Sequence, residues 1–202
     1  RPEARPPEAR IDAWRDLATI HYTGGTTGFP KGVPGNHATE VAYVRDVMDD
    51  VLRPRVREGE DVLLMVAPLY HIMPKGFFIA CGLNLGNATV LMPFLHTDSL
   101  LMAIERHAVR WLLGVPSLFR KILDNDRLDQ YELGSLRYCF SGGDVLPDEV
   151  FRRWKALTGS PIYQVYGATE VGHVAYSRLD EEPLLKEALP SQSITFSAGR
   201  KV

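Results

Sequence analysis

From Asp61 to Val165, short apolar runs alternate with stretches in which apolar residues recur every three or four positions. Short apolar runs suit strands buried on both faces, and a three-four repeat gives a helix one packed stripe. Asp61–Ala67, Ala88–Met92, Arg110–Val115, Leu136–Phe140 and Ile162–Val165 are the strand candidates. Thr97–His107 is expected to be a helix burying Leu100, Leu101 and Ile104. Pro116 suits the first turn of another, with Phe119, Ile122 and Leu123 on its packed side. Pro147–Leu157 has Asp148 and Glu149 early, Lys155 late and Gly159 just beyond, each favourable to the dipole or the cap. Such alternation predicts an α/β fold with a largely parallel sheet flanked by helices.

Residues 1–11 carry no periodicity and are expected to be a linker or exposed lead-in, with the domain proper over 12–202. Leu17–Tyr22 reads as a strand. Asn36 is placed to cap a helix running to about Arg53, with Val41, Val44, Val47 and Met48 along one side. Gly76–Leu95 has no charged residue, but Gly86-Asn87 is a turn signal in its middle. A short buried helix, a turn and a buried strand are expected there rather than a membrane span. Residues 180–190 read as an exposed connection.

The net charge of −2 gives no bulk attraction to nucleic acid or to an anionic membrane. Cys81 and Cys139 match no metal or redox spacing and are expected to be buried thiols of a cytoplasmic protein. Asp124-Asn125-Asp126 lacks the glycine and glutamate that a calcium loop needs, and reads as a helix end and turn.

In open parallel sheets, ligands sit beyond the carboxyl ends of strands. Three polar, glycine-containing segments follow predicted strands and are placed to converge there: Thr23–Gly32, Ser141–Asp144 and Tyr166–Glu170. The first is the most informative. Gly24, Gly25, Gly28 and Gly32 let backbone approach a bulky anion, Thr23, Thr26 and Thr27 add hydroxyls, and Lys31 adds a mobile positive charge. These are the parts of a polyphosphate cradle. A Walker A loop is excluded by spacing, because Pro30 precedes Lys31 and Gly32 follows it.

Tyr22-Thr23-Gly24-Gly25-Thr26-Thr27-Gly28-Phe29-Pro30-Lys31-Gly32 resembles the signature loop of the adenylate-forming superfamily of acyl- and aryl-CoA ligases, luciferases and amino-acid adenylation domains. The resemblance implies that Thr23, Thr26, Thr27 and Lys31 hold the β- and γ-phosphates of ATP. Tyr166-Gly167-Ala168-Thr169-Glu170 resembles the same family's Tyr-Gly-x-Thr-Glu motif. That implies Tyr166 stacked on adenine, Thr169 at the α-phosphate and Glu170 on Mg²⁺. Ser141-Gly142-Gly143-Asp144 resembles the Gly-rich loop lining the adenine and acyl pocket, with Asp144 where Ala or Ser is usual. A strand-to-helix turn that simply needs glycine accounts equally well for Ser141 and Asp144. Pro68-Leu69-Tyr70-His71 resembles the segment whose aromatic or His borders the acyl substrate, although Met73-Pro74-Lys75 intervene before Gly76.

By this resemblance the chain is the central part of the large N-terminal domain of an adenylate-forming enzyme, truncated at both ends. Lys31, Thr169 and Glu170 would be its catalytic residues, and ATP, Mg²⁺ and coenzyme A its cofactors and co-substrate. The expected reaction is formation of an acyl-adenylate followed by transfer to coenzyme A. No acidic residue lies between Asp61 and Asp98 to pair with a substrate ammonium, so an uncharged tail is expected. Phe77, Phe78, Ile79 and Leu83 near His71 look most like fatty acyl-CoA ligases. An amino-acid or aryl-acid adenylation domain, a non-catalytic nucleotide-binding fragment and a homodimer all remain open.

Overall fold

The computed structural model describes residues 9–24, 28–46, 52–53, 55–177 and 179. These divide into two compact units, with the boundary between Ala42 and Tyr43.

In the first unit, β1 (Leu17–Thr23) and β2 (Lys31–Asn36) pair antiparallel as a two-stranded ribbon, followed by the start of α1 (His37–Asp46), whose residues from Tyr43 on belong to the second unit. The Asn36 side chain accepts from the Thr39 backbone N–H at 2.8 Å, the expected cap. Strand β2 was not anticipated, since Lys31-Gly-Val-Pro-Gly-Asn carries two glycines and a proline. A two-stranded ribbon tolerates Pro34, because a strand needs to donate only along its paired side. The Thr19 hydroxyl donates to Glu40 Oε1 at 2.5 Å, tying β1 to α1. The expected end of α1 near Arg53 falls partly outside the described residues. Of its apolar positions Val44 is buried, Val41 is exposed, and Val47 and Met48 lie outside the description.

The second unit is built on a six-stranded sheet of order β4-β3-β5-β6-β7-β8. Strands β3 (Val62–Met65), β4 (Ala88–Leu91), β5 (Trp111–Gly114), β6 (Tyr138–Gly142) and β7 (Ile162–Ala168) run parallel, and β8 (Gly172–Tyr176) closes the edge antiparallel to β7. Five strands were expected. The sixth escaped notice because Gly172-His-Val-Ala-Tyr has no buried apolar run.

Successive strand residues face opposite layers. Leu63, Met65, Trp111, Leu113, Phe140, Tyr163 and Val165 pack beneath α2 (Ile72–Phe77) and its π-helical continuation Phe78–Asn84. Leu64, Leu112, Cys139 and Ile162 pack beneath α3 (Thr97–Arg106), α4 (Pro116–Leu123) and α5 (Asp148–Thr158). Each buried large apolar side chain contributes about 1.5–3 kcal/mol. The Gly76–Leu95 expectation holds as helix, turn and strand, but the strand, β4, is an edge strand and not buried, and among the described residues no helix is long and apolar enough to cross a membrane. Both cysteines are buried, and burial pushes their thiols up to about 11 for Cys81 and about 12 for Cys139.

One polar group lies at the centre of this apolar frame. Asp61, directly before β3, is 1% exposed. Its carboxylate accepts from Trp111 Nε1 at 2.7 Å, Arg57 Nε at 2.8 Å and the Arg57 backbone N–H at 3.1 Å, and pairs with Arg110 at 2.8 Å. Burial pushes the carboxyl up, but these donors together outweigh it and hold Asp61 below its usual value. Asp61→Ala leaves the Arg110 charge and the indole N–H without their acceptor and is expected to cost about 3–5 kcal/mol, read from denaturant unfolding. The folded carboxyl titrates below the unfolded one, so its contribution is complete above the unfolded value of about 3.9 and fades as pH falls through the folded value. Asp61→Asn should therefore flatten the acid limb of stability against pH. An acid limb as steep as that of the wild type would show that other carboxylates set it.

Candidate active site

The topology marks one end of the second unit. From β3 the chain crosses by α2 to β4 on one side, then by α3 on the opposite face to β5 on the other side. The carboxyl ends of β3 and β5 thus flank a topological switch point, the crevice where open α/β sheets receive ligands. Tyr70 and His71 follow β3 directly at this place.

His71 is the N-cap of α2, and its Nδ1 accepts from the Met73 backbone N–H at 3.4 Å. That role was not foreseen. It fixes Nδ1 as the acceptor, so the neutral ring carries its proton on Nε2, which is left to meet a ligand. Pro74 lies in the first helical turn, where no backbone donor is needed, so the residues between His71 and Gly76 begin the helix without distorting it. Tyr70 is 83% exposed. The apolar residues expected beside the substrate divide differently. Phe77 is a core residue whose ring lies tilted against Phe140 at 5.0 Å, Phe78 and Ile79 pack against the same core, and Leu83 is exposed.

Strand β6 ends at Ser141 and Gly142. Gly142 is buried, and a Cβ there would stand 2.7 Å from Met73 Sδ and 2.9 Å from the Val165 carbonyl oxygen. Glycine is therefore required by the approach of β7 and α2, whatever else it meets. The Ser141 hydroxyl is buried without a hydrogen-bond partner among the described residues, a group that a ligand or water normally satisfies. Gly143 turns the chain outward at φ 81°, and exposed Asp144 accepts from the Val145 backbone N–H at 2.7 Å. Asp144 thus has a local turn-forming bond, consistent with the turn reading of this segment.

The Tyr-Gly-Ala-Thr-Glu segment is not the loop that was expected. Tyr166, Gly167 and Ala168 belong to β7, with an irregularity between Tyr166 and Gly167. Such bulges re-aim side chains at sheet ends. The turn itself is Thr169–Val171, closed by Val171 N–H to the Ala168 carbonyl at 3.2 Å. It presents Thr169 half-buried and Glu170 exposed, and Tyr166 is 54% exposed.

The glycine-rich loop belongs to the first unit and joins ribbon strands, so it does not extend a parallel strand as expected. Its mouth is the last pair of the ribbon, Thr23 opposite Lys31. Lys31 and Gly24 are exposed and Thr23 is half-buried. Gly28, Phe29 and Pro30 are described, whereas Gly25, Thr26 and Thr27 lie outside the described residues. Antiparallel pairing sets the lysine and a hydroxyl on neighbouring strands beside a loop with little side-chain bulk, which suits a polyphosphate.

Among the described residues no group of three or more His, Cys, Asp and Glu side chains could hold a metal. Mg²⁺ does not require such a group, since it takes one or two carboxylates and otherwise phosphate oxygens and water. Elsewhere an open cleft of about 520 Å³ runs past Asp98, Arg120, Asp124 and Arg127. Two of its carboxylates are already engaged, Asp98 by Asn125 and Arg127, and Asp124 by Arg153 at 2.9 Å. The Asp124–Asp126 stretch is indeed a helix end and turn.

The chain is 30% identical over 168 residues to a long-chain-fatty-acid–CoA ligase of Bacillus subtilis, covering 83% of this chain and 30% of that protein. It is 34% identical over 172 residues to 4-coumarate–CoA ligase 5 of Oryza sativa subsp. japonica, covering 83% and 31%. Among solved structures, ATP-bound MatB from Rhodopseudomonas palustris superposes with a TM-score of 0.68 at 30% identity, covering 83% of this chain and 32% of that one. The chain thus spans about 30% of the length of the curated relatives it matches. The family model described as AMP-binding enzyme matches residues 1–196, and the chain belongs to that family.

Proposed function

We propose that the protein containing this chain activates a carboxylic acid with ATP, forming an acyl-adenylate and pyrophosphate, and passes the acyl group to coenzyme A. The chain would be the central part of its nucleotide-binding domain. The observation that carries the reading is the ribbon mouth, where Lys31 pairs opposite Thr23 beside a glycine-rich loop. The orphaned Ser141 hydroxyl and the turn presenting Thr169 and Glu170 add a second set of polar groups at the ends of β6 and β7.

Carboxylate attack on the α-phosphorus needs no covalent help from protein, so catalysis is a matter of alignment and charge. Lys31, Thr23, Thr26 and Thr27 would bear the β- and γ-phosphates. Tyr166 would stack on adenine beside Gly142 and Gly143, and Thr169 would meet the α-phosphate. Glu170 would hold Mg²⁺, which supplies charge neutralisation on the phosphates. His71 Nε2 and Tyr70 would border the acid.

The acid has an uncharged tail on this reading, since no acidic residue lies between Asp61 and Asp98 to receive an ammonium group. Fatty acids come first, in keeping with the Bacillus subtilis relative. A hydroxycinnamic or other aryl acid is the second reading, favoured by the 34% identity to a 4-coumarate–CoA ligase. The test is pyrophosphate exchange and thioester formation by the full-length protein over fatty, aryl and amino acids. Exchange with amino acids alone, or ATP binding without exchange, would overturn the proposal.

Lys31→Ala is expected to lower the adenylation rate about 10²–10³-fold with little change in thermal stability, because the residue is exposed. Adenylation within about threefold of wild type would remove Lys31 from the phosphate site. Glu170→Gln keeps the shape and removes the charge, so the Mg²⁺ titration of exchange should move to higher concentration. An unmoved titration would make Glu170 a turn residue only.

A further inference from the structure

Tyr43, on α1, places its half-buried ring between two backbones that come from opposite halves of the second unit. A Cβ built on Gly76 of α2 would lie 2.3 Å from Tyr43 Cε1, 2.5 Å from Oη and 2.8 Å from Cζ. A Cβ on Gly172, the first residue of β8, would lie 3.1 Å from Cδ2 and 3.3 Å from Cε2 on the other edge of the same ring. The α2 backbone and the start of β8 are therefore held one ring apart, each able to approach only because it carries glycine. Gly172 also has φ 70°, which few L side chains adopt, so this contact is specified twice.

The two backbones lead to the two groups the chemistry uses. Gly76 lies on the helix that His71 caps, and Gly172 closes the turn that presents Thr169 and Glu170. We propose that Tyr43 is a positioning residue, a rigid spacer that sets the His71-capped helix against the Glu170 turn and so aligns the acid with the α-phosphate. The proposal rests on the adenylation reading. The effect would pass through the two glycine contacts. A planar ring suits the task because it has few rotamers and does not compress. Attack needs the reacting atoms about 3–3.5 Å apart, and displacement of about 1 Å costs on the order of 10²-fold in rate.

The experiment uses the full-length protein and measures acid-dependent pyrophosphate exchange, equilibrium ATP binding and thermal denaturation. Tyr43→Ala should lower kcat about 10²-fold. Its Kd for ATP should stay within about threefold of wild type, a split that general loosening of the fold does not produce. Tyr43→Phe keeps the ring and should restore kcat to within about threefold. Gly76→Ala should lower Tm in the wild type and do so much less beside Tyr43→Ala, where the missing ring leaves room for the new methyl. If Tyr43→Ala does not fold, Tyr43→Leu, apolar but not planar, replaces it. A kcat left within about threefold by losing the ring, or lost in step with ATP affinity, overturns the proposal. So does a Gly76→Ala effect that is the same in both backgrounds. A wild type that binds ATP without exchange on any acid sinks the adenylation reading instead. In that case the Gly76→Ala pair of measurements still decides whether the ring is a spacer.

Discussion

The hydrogen bond from the Trp111 indole to the Asp61 carboxylate, at 2.7 Å, joins the two strands on which the sheet's change of direction depends. Strand β3 leaves towards β4 and the chain returns to β5 on the other side, so β3 and β5 are neighbours only because two crossovers on opposite faces bring them together. Asp61 precedes β3 and Arg110 precedes β5, and their pairing sets the register at the amino ends of both strands. The Trp111 ring then carries the constraint inward, stacked on Tyr138 at 4.3 Å and Phe140 at 5.8 Å. A carboxylate this deeply buried is unfavourable alone and stable only when every lone pair is answered. Here the answers come from Trp111 and Arg110 at the start of β5 and from Arg57 ahead of β3, so the network specifies which strands meet. The opposite, carboxyl ends of the same strands are left to loops, and the segment after β3 carries Tyr70 and His71.

The parts of this fold legible in the sequence are those whose burial is symmetric. Leu63-Leu64-Met65 and Trp111-Leu112-Leu113 are continuous apolar runs because each strand is covered on both faces, and helices α3 to α5 show their single stripe clearly. Asn36 as a cap and Pro116 as a first-turn residue were readable because they answer local backbone needs. Illegible were β2 and β8, whose strand character comes from a partner across a hairpin and not from their own residues. The π-helical stretch Phe78–Asn84 was invisible for the same reason, since nothing in its composition asks for a widened turn.

The site divides along the same line. A loop with four glycines, three threonines and a lysine has no structural explanation that needs them all, so its chemistry shows in one dimension. His71 was singled out because Pro68-Leu69-Tyr70-His71 resembles a family segment that borders the acyl substrate. Its capping bond, which fixes the tautomer, depends on where α2 starts and cannot be read from spacing. Phe77 looked like a pocket residue because apolar residues beside a candidate His suggest one. Only the sheet shows that its face is already taken by Phe140.

That last point limits where selectivity for the acid can reside. The layer between α2 and the sheet is occupied by Phe77, Phe140, Trp111 and Tyr163, all buried and in mutual aromatic contact. Opening a slot there for an acyl tail would forfeit about 3–5 kcal/mol for each aromatic side chain removed, a large fraction of a domain's net stability. On the proposed reading, a tail would therefore run along surfaces the core does not use, chiefly those at the carboxyl ends of the strands beside Tyr70 and His71. Side chains there can change without disturbing the buried frame. On the proposed reading, the frame would fix the place of the chemistry and only its rim would meet the part of the substrate that varies.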